Sequence, residues 1–236
     1  MSGTRVAIMQ PYFFPYLGYW QMMRSVDTFV VYDTVQYTSG WMNRNRYRNG
    51  GRVRWMTVPV RHGPARTTIR ERRLADNFVE QRDCLLSSLD RAYRGAPHRD
   101  RGLELVETGL AGGEAGGSLL ELLLHSMHAV RELLGITSTL EFASNIEHDE
   151  SLPPEQRLIE LSLAAGGDSY YQLSGGRVLY SPRSFAERGL ELRFREFDEE
   201  LEGGSGELAL SIVDLVMRYD LPYLDELLAA SRWSLE

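Results

Sequence analysis

The chain has 236 residues, of which 43% are hydrophobic, and a formal net charge of −7. This length predicts one domain with a normal core. No apolar run approaches the ~20 residues that a membrane-spanning helix needs. The N-terminus reaches a polar, aromatic motif by Gln10 without a secretory signal, so we expect a soluble, cytoplasmic protein. The single cysteine, Cys84, excludes an intramolecular disulfide and a multi-cysteine metal site.

Positive charge is concentrated in one stretch of the chain, and all 26 basic residues are arginines. Between Trp41 and Arg101 there are 15 arginines and 6 acidic residues, whereas the rest of the chain has 11 arginines and 27 acidic residues. A basic stretch in an acidic chain indicates a localised anionic partner, such as a nucleotide, an aminoacyl-tRNA or a carrier protein. The alternative is a solvated face that pairs with the chain's own carboxylates.

The first quarter of the chain alternates strands with a helix. Apolar, β-branched and aromatic runs mark the strands, and an aromatic, proline-rich turn leads into the helix. The predicted strands are Arg5 to Gln10, Phe29 to Tyr32 and Val53 to Val60, and the predicted helix is Leu17 to Val26.

The middle of the chain is helical in pattern. Ser118 and Gly135 are typical of the first and last positions of a capped helix. We interpret the region around 77–134 as a mainly helical insertion or subdomain. The predicted helices are Asp76 to Tyr93, Asp100 to Leu110 and Leu119 to Leu134.

The last part returns to alternating elements. Strands alternating with helices predict an α/β fold, a single domain over 1–236 with a mostly parallel, Rossmann-like sheet. An acidic, glycine-bearing loop is expected at Asp198 to Gly206. The predicted strands are Thr137 to Phe142, Asp168 to Leu173, Leu179 to Tyr180 and Leu192 to Phe197; the predicted helices are Pro153 to Ala165, Ala209 to Arg218 and Tyr223 to Ala230.

Polar residues gather where the first strands end. In open α/β sheets the carboxyl ends of the strands line the ligand crevice. We therefore expect this segment to build one end of the main pocket. The candidate residues are Gln10, Asp33, Gln36, Asn43, Arg44 and Asn45.

Two groups in this region suit catalysis. Asn43, Arg44 and Asn45 offer a fork of donors between two amides, which suits a phosphate or carboxylate, or they form a turn capped by its own asparagines. Asp33 is a candidate general base or amine-binding carboxylate; it can equally cap Asn43 or pair with Arg44. His62 is a second candidate base, or a polar surface residue.

Two further motifs supply binding candidates. Tyr12 and Tyr16 belong to an aromatic cluster and face either the pocket or the core, where their hydroxyls need partners. Ser174 and Gly175 begin a small loop that ends at Tyr180. Backbone amides in such loops can hold phosphate.

The chain resembles the WbqC-like family. The resemblance rests on QPYFFPYLGYWQMM, DTVQY and WMNRNR, and it continues through WMTVPV, YRGAP, SYYQLSGGRVLY, LRFREF and LSIVDLV. The family occurs in bacterial O-antigen and natural-product gene clusters, where transfer of glycine or another amino acid onto an amino sugar has been proposed. The resemblance implies an aminoacyl transferase that forms an amide on an amino sugar or other amine.

The opening of the chain is also similar to nucleotidylyltransferases and class I tRNA synthetases. There a His-x-Gly-His motif at the helix start holds nucleotide phosphates; here the stretch reads Tyr16-Leu17-Gly18-Tyr19. Gly18 still allows close approach and the helix N-terminus still attracts an anion, but both histidines are absent. Nucleotide or nucleotide-sugar processing is therefore the second hypothesis. A non-catalytic partner of an assembly complex is the third.

The chain shows no good covalent nucleophile, so we expect the acceptor amine to attack directly. Arg44, Asn43 or Asn45 would stabilise the oxyanion, and Asp33 or His62 would take the proton. We expect no metal and no cofactor. The acceptor is a small-molecule amine, and a carrier protein or aminoacyl-tRNA would deliver the donor at the basic stretch 41–101.

Overall fold

A mostly parallel sheet forms the centre of the protein. The computed structural model describes residues 3–196, 206 and 209–235, so most of the acidic loop expected at Asp198 to Gly206 lies outside the described residues. The described strands are β1 (Arg5–Met9), β2 (Thr28–Val31), β3 (Arg44–Asn49), β4 (Arg52–Thr57), β5 (Thr139–Phe142), β6 (Ser169–Gln172), β7 (Glu191–Arg195) and β8 (Trp233–Leu235).

The described helices follow the predicted pattern closely. α4 begins as expected, because the Ser118 hydroxyl accepts a hydrogen bond from the Glu121 amide at 3.3 Å. Gly135, with φ +63°, follows its end. The helices are α1 (Leu17–Ser25), α2 (Phe78–Ala92), α3 (Arg99–Leu110), α4 (Leu119–Leu133), α5 (Pro154–Ala164), α6 (Pro182–Ala186), α7 (Ile212–Arg218) and α8 (Leu221–Ala229).

The main sheet has the strand order β5-β2-β1-β6-β7-β8. Adjacent strands in this sheet are parallel, except that β7 and β8 are antiparallel to each other. Numbered along the chain within this sheet, the order is 3-2-1-4-5-6, which is that of dinucleotide-binding sheets. The predicted α/β fold with a mostly parallel sheet is therefore confirmed. The chain reverses its direction across the sheet between β1 and β6.

Helices cover both faces of the sheet. Ala7 of β1 packs in a large hydrophobic cluster with α1 to α4, α7 and α8. Its neighbours Val6 and Ile8 pack in a second cluster with α5 and α6. All residues of β2 and β6 are buried, as expected for parallel strands that are covered on both sides. The helices α2, α3 and α4 fill the region predicted to be helical.

A separate two-stranded antiparallel hairpin joins β3 and β4. Gly50 and Gly51 form its two-residue turn with φ +54° and +78°, the sign that hairpin turns of this kind require. Asn45, Tyr47 and Met56 lie on the buried face of the hairpin. The strand predicted at Val53 to Val60 thus exists as β4, but it belongs to this hairpin and not to the main sheet.

Some local expectations were wrong. Leu179 and Tyr180 do not form a strand; they follow the short 3-10 turn Ser174–Gly176. Strands β3 and β8 and helix α6 were not predicted. Cys84, which lies among leucines in the sequence and was expected to be a buried apolar residue, is exposed on α2. Among the described residues no helix has the length and apolar character needed to cross a membrane.

Candidate functional site

A cavity of about 840 Å³ lies at the carboxyl ends of β1, β2 and β6. Gln10 follows β1, Tyr32 follows β2, and Gln172 ends β6. Its position between β1 and β6, where the strand order reverses, is where ligands bind in open α/β sheets. One wall comes from the β1–α1 turn and the hairpin, and the other from α5 and the loop after β6.

Asn45 holds the β1–α1 turn against the hairpin. Phe14 has φ +41°, a left-handed conformation that costs about 1–3 kcal/mol in a non-glycine residue. The Asn45 side-chain amide donates to the carbonyls of Phe13 at 3.1 Å and Phe14 at 2.7 Å. The Ser211 hydroxyl also donates to the Phe14 carbonyl, at 2.8 Å. Asn45 lines the cavity, so it fixes the wall to which it contributes.

Gly18 gives Tyr16 its place in the wall. A Cβ atom on Gly18 would lie 2.7 Å from a ring carbon of Tyr16, which is closer than non-bonded carbon atoms approach. Tyr16 lines the cavity, whereas Gly18 is buried below its ring and does not. The glycine expected to approach a phosphate therefore makes room for an aromatic side chain of its own chain.

Tyr12 and Gln10 form a hydrogen-bonding pair on the same wall. The Tyr12 hydroxyl donates to the Gln10 Oε1 at 3.3 Å, and the Tyr19 hydroxyl donates to the Gln10 carbonyl at 3.0 Å. Burial raises the pKa of Tyr12. The phenol therefore stays protonated and presents a neutral donor to the cavity.

The opposite wall holds three tyrosines and an arginine. Tyr32, Tyr170 and Tyr180 all line the cavity, and burial raises the pKa of each. The phenols are therefore neutral donors at ordinary pH. Arg157, in the first turn of α5, also lines the cavity and donates to the Leu152 carbonyl at 3.4 Å. It brings a positive charge to this wall.

The loop after β6 closes the cavity with backbone that is already hydrogen-bonded. The amides of Gly176, Arg177, Leu179 and Tyr180 donate to carbonyls of the same loop. Gly176 packs tightly, because a Cβ there would lie 2.4 Å from Gln172 Cγ. These four amides are used within the loop and are not available to a phosphate.

Seven of the thirteen predicted site residues line the cavity and six do not. The lining residues are Gln10, Tyr12, Tyr16, Gln36, Asn45, Gly175 and Tyr180; the six outside the lining are Gly18, Asp33, Asn43, Arg44, His62 and Ser174. Sequence reasoning missed Tyr32, Tyr170, Gln172, Arg46 and Arg157, which also line it. A strand-end position could have indicated Tyr32 and Gln172.

Asp33 is buried and bonded to its own chain. It is 2% exposed and accepts a hydrogen bond from the Ser144 amide at 3.0 Å. Its other oxygen lies 3.7 Å from Arg70. The carboxylate thus joins the end of β2 to the turn after β5, and its partners are not the Asn43 and Arg44 that the sequence suggested.

The Asn43-Arg44-Asn45 segment divides between two roles. Asn43 accepts from the Gly40 amide at 3.2 Å and donates to the Val58 carbonyl at 3.0 Å, so it caps its own turn. The Arg44 guanidinium lies 4.5 Å from the centre of the Trp55 ring, outside the cavity lining. Of the three, Asn45 alone lines the cavity. His62 is exposed on the loop that follows β4.

The arginines of the basic stretch occupy different environments. Arg61 pairs with Asp76, Arg82 with Asp83, and Arg99 with Asp90 and Asp100. Arg72 is buried, with its guanidinium 4.8 Å from the centre of the Tyr37 ring. Part of the positive charge in 41–101 is therefore balanced by the chain's own carboxylates.

Comparisons with known proteins agree with the resemblance. The sequence pattern described as the WbqC-like protein family matches residues 10–222. The chain is 30% identical over 223 residues to the uncharacterized protein Rv1507c of Mycobacterium tuberculosis, covering 90% of this chain and 92% of that protein. No solved structure matches the chain at a significant level. The chain belongs to the WbqC-like protein family.

Proposed function

We propose that the chain is an aminoacyl transferase that forms an amide on an amino sugar in the cavity beside β1 and β6. One observation carries the proposal. Among the described residues the cavity is lined by phenols, primary amides and guanidinium groups, with no Asp, Glu, His, Cys or Ser and with Thr34 as the sole aliphatic hydroxyl. Such walls bind and polarise a substrate. They offer no nucleophile paired with a base.

The reaction that suits these walls is direct transfer between two substrates. The amine nitrogen of the sugar attacks the acyl carbonyl carbon, and the bond from that carbon to the donor's sulfur or oxygen breaks. The departing sulfur or oxygen takes the proton that the nitrogen loses, so the products are an amide and a thiol or alcohol. Holding both substrates in one cavity lowers the barrier by orientation.

Arg157 and Tyr32 are the groups best placed to stabilise the oxyanion. Both are hydrogen-bond donors in the cavity wall. Donors fixed before the reaction stabilise developing negative charge more than mobile water does. The aromatic rings of Tyr12, Tyr16 and Tyr180 offer flat apolar surfaces to a sugar ring, and Gln10 offers an amide to its hydroxyls.

The test is amide formation by the purified protein. A glycyl thioester of N-acetylcysteamine serves as donor and a panel of free amino sugars as acceptors, with mass spectrometry detecting a sugar heavier by one glycyl residue. Arg157→Gln should lower kcat about 100-fold or more, the cost of losing one oxyanion donor. Arg183→Gln is the matched control, since Arg183 is 87% exposed on α6 and outside the cavity lining. Equal rates for the two variants would refute the role of Arg157.

Processing of a nucleotide or nucleotide sugar is the second candidate. The 3-2-1-4-5-6 strand order supports it, because such sheets bind nucleotides at this reversal point. This is an analogy of fold, and one fold hosts many chemistries. Release of a nucleotide or pyrophosphate from a nucleotide sugar, without any glycylated product, would favour this candidate over acyl transfer.

A further inference from the structure

The β3–β4 hairpin presents one open face beside the cavity. Its residues alternate, so that Asn45 and Tyr47 are buried while Arg44 and Arg46 lie on the other side. Trp55 of β4 pairs with Arg46 across the hairpin and is 48% exposed. An exposed tryptophan points to an interaction site where it belongs to a contiguous apolar patch.

A row of two indoles and two guanidinium groups crosses this face. The rings of Trp41 and Trp55 have centroids 5.7 Å apart. The Arg44 guanidinium lies 4.5 Å from the centre of Trp55, and that of Arg46 lies 5.1 Å from the centre of Trp41. These contacts hold both rings in place. Trp41 is still 41% exposed, so each ring keeps surface for another planar group.

The row is continuous with the cavity and carries two guanidinium groups. Trp41 and Arg46 both line the cavity. From residue 41 to residue 60 the chain has five arginines and no acidic residue. No described carboxylate lies within ion-pair distance of Arg44, in contrast to Arg61, Arg82 and Arg99 elsewhere in the basic stretch. A ligand that meets this row therefore encounters flat aromatic surface beside the guanidinium group of Arg44, which has no described carboxylate within ion-pair distance.

We infer that Trp41 and Trp55 stack the base of a nucleoside diphosphate, and that the acceptor amino sugar enters the cavity as the conjugate of that diphosphate. The base lies on the indoles, the phosphates face the arginines of the hairpin, and the sugar extends past Trp41 into the cavity. The inference that a nucleoside diphosphate binds depends only on the row of indoles and guanidinium groups. The inference that the diphosphate carries an amino sugar rests on the proposed function.

The geometry favours one nucleotide over a nucleic-acid strand. Strand-binding surfaces track about 4–16 nucleotides with several stacked aromatics along a groove. Here two rings within 5.7 Å of each other provide stacking surface for a base or two, and the row leads into a cavity of about 840 Å³. That volume lies within the range of pockets for ligands of cofactor size.

The experiment measures nucleotide binding to the full chain by calorimetry, independently of turnover. The probes are ADP, GDP, CDP and UDP, with inorganic pyrophosphate and a single-stranded RNA oligomer for comparison. We expect at least one diphosphate to bind more tightly than pyrophosphate. Trp41→Ala and Trp55→Ala should each raise its Kd about 10-fold, the factor that follows from losing about 1.4 kcal/mol of stacking.

Two further variants separate stacking from folding. Trp55→Phe keeps an aromatic ring and should restore most of the affinity that Trp55→Ala loses. Val53→Ala is the matched control, because Val53 is 49% exposed on the same strand and does not line the cavity. Its Kd should equal that of the unaltered protein. The Tm of every variant is measured as well. An unchanged Tm shows that a change in Kd comes from the loss of a contact in the row and not from unfolding.

Three results would overturn the inference. No nucleoside diphosphate binds; or pyrophosphate binds as tightly as any of them and the tryptophan variants are unaffected; or the RNA oligomer binds more tightly than every diphosphate. None of these concerns glycylation of a free amino sugar. The proposed function can therefore stand while this inference fails, and nucleotide binding can stand while glycyl transfer fails.

Discussion

Replacing Asn45 with alanine should destabilise the turn that builds one cavity wall. The side-chain amide makes two hydrogen bonds, to the carbonyls of Phe13 and Phe14, and its oxygen accepts from the Arg46 amide at 2.8 Å. Asn45 is 2% exposed, so water does not replace the lost partners. Phe14 keeps its bond from Ser211. At about 0.7–1.3 kcal/mol for each of the three bonds, the free energy of unfolding should fall by about 2–4 kcal/mol.

The assay is urea unfolding followed by circular dichroism, with thermal melting in parallel. For a chain of this length a fall of about 2–4 kcal/mol corresponds to a Tm lower by about 4–16 °C. Asn49→Ala is the control, since Asn49 is exposed at the end of β3; it should change the free energy by less than about 0.5 kcal/mol. If Asn45→Ala is as mild as Asn49→Ala, the turn does not depend on this amide and the reasoning is wrong.

Two further predictions concern interactions of aspartates, one with a tyrosine and one with an arginine. Tyr93→Phe removes a 2.5 Å hydrogen bond to the fully buried carboxylate of Asp214 and should cost about 1–3 kcal/mol in urea unfolding; an unchanged midpoint would contradict this. Asp27 pairs with Arg5, which lowers the pKa of Asp27 from 3.8 to about 2. A lowered folded pKa stabilises the fold above pH 3.8, and this contribution is lost as the pH falls towards 2. Because both side chains are more than 40% exposed, it should be below about 1 kcal/mol. The difference in unfolding free energy between the parent chain and Asp27→Asn should therefore shrink over that range, and a constant difference would contradict the pairing.

The elements of the main sheet other than β8 were predictable because their local patterns are strong. The runs in β1 and β2 are apolar, and α4 carries both its cap and its terminal glycine. β3 was missed because its sequence, RNRYRN, has Tyr47 as its only apolar residue. The other buried position facing the core is Asn45, whose amide is satisfied by the turn. Because a buried position is occupied by a polar residue, the sequence of β3 lacks the alternation of apolar and polar residues from which a strand is predicted.

Of the candidate site, mainly the wall formed by the β1–α1 turn and the hairpin was predictable. Residues after a strand alternate in direction: Tyr32 and Thr34 line the cavity, whereas Asp33 between them points to Ser144. The strand-end rule locates the edge of the sheet, but it does not select the residue. Arg157 and Tyr170 lie far along the chain. The pairing of β1 with β6 brings Tyr170 close, and the packing of α5 against β1 through Leu158 brings Arg157 close. No local pattern near residue 10 contains that pairing.

The most direct test of the cavity as the active site is to replace Gly175 with a residue whose large side chain occupies the cavity. Gly175 lines the cavity, and a Cβ there would meet no atom within 4 Å. A side chain at this position should therefore enter open space without disturbing the fold. The measurement is kcat/KM for glycyl transfer by Gly175→Ala and Gly175→Trp at equal Tm. We predict near-normal turnover for alanine and a loss of about 100-fold or more for tryptophan, as expected when substrates cannot adopt the reacting geometry. Full activity in the tryptophan variant would show that the reaction takes place elsewhere.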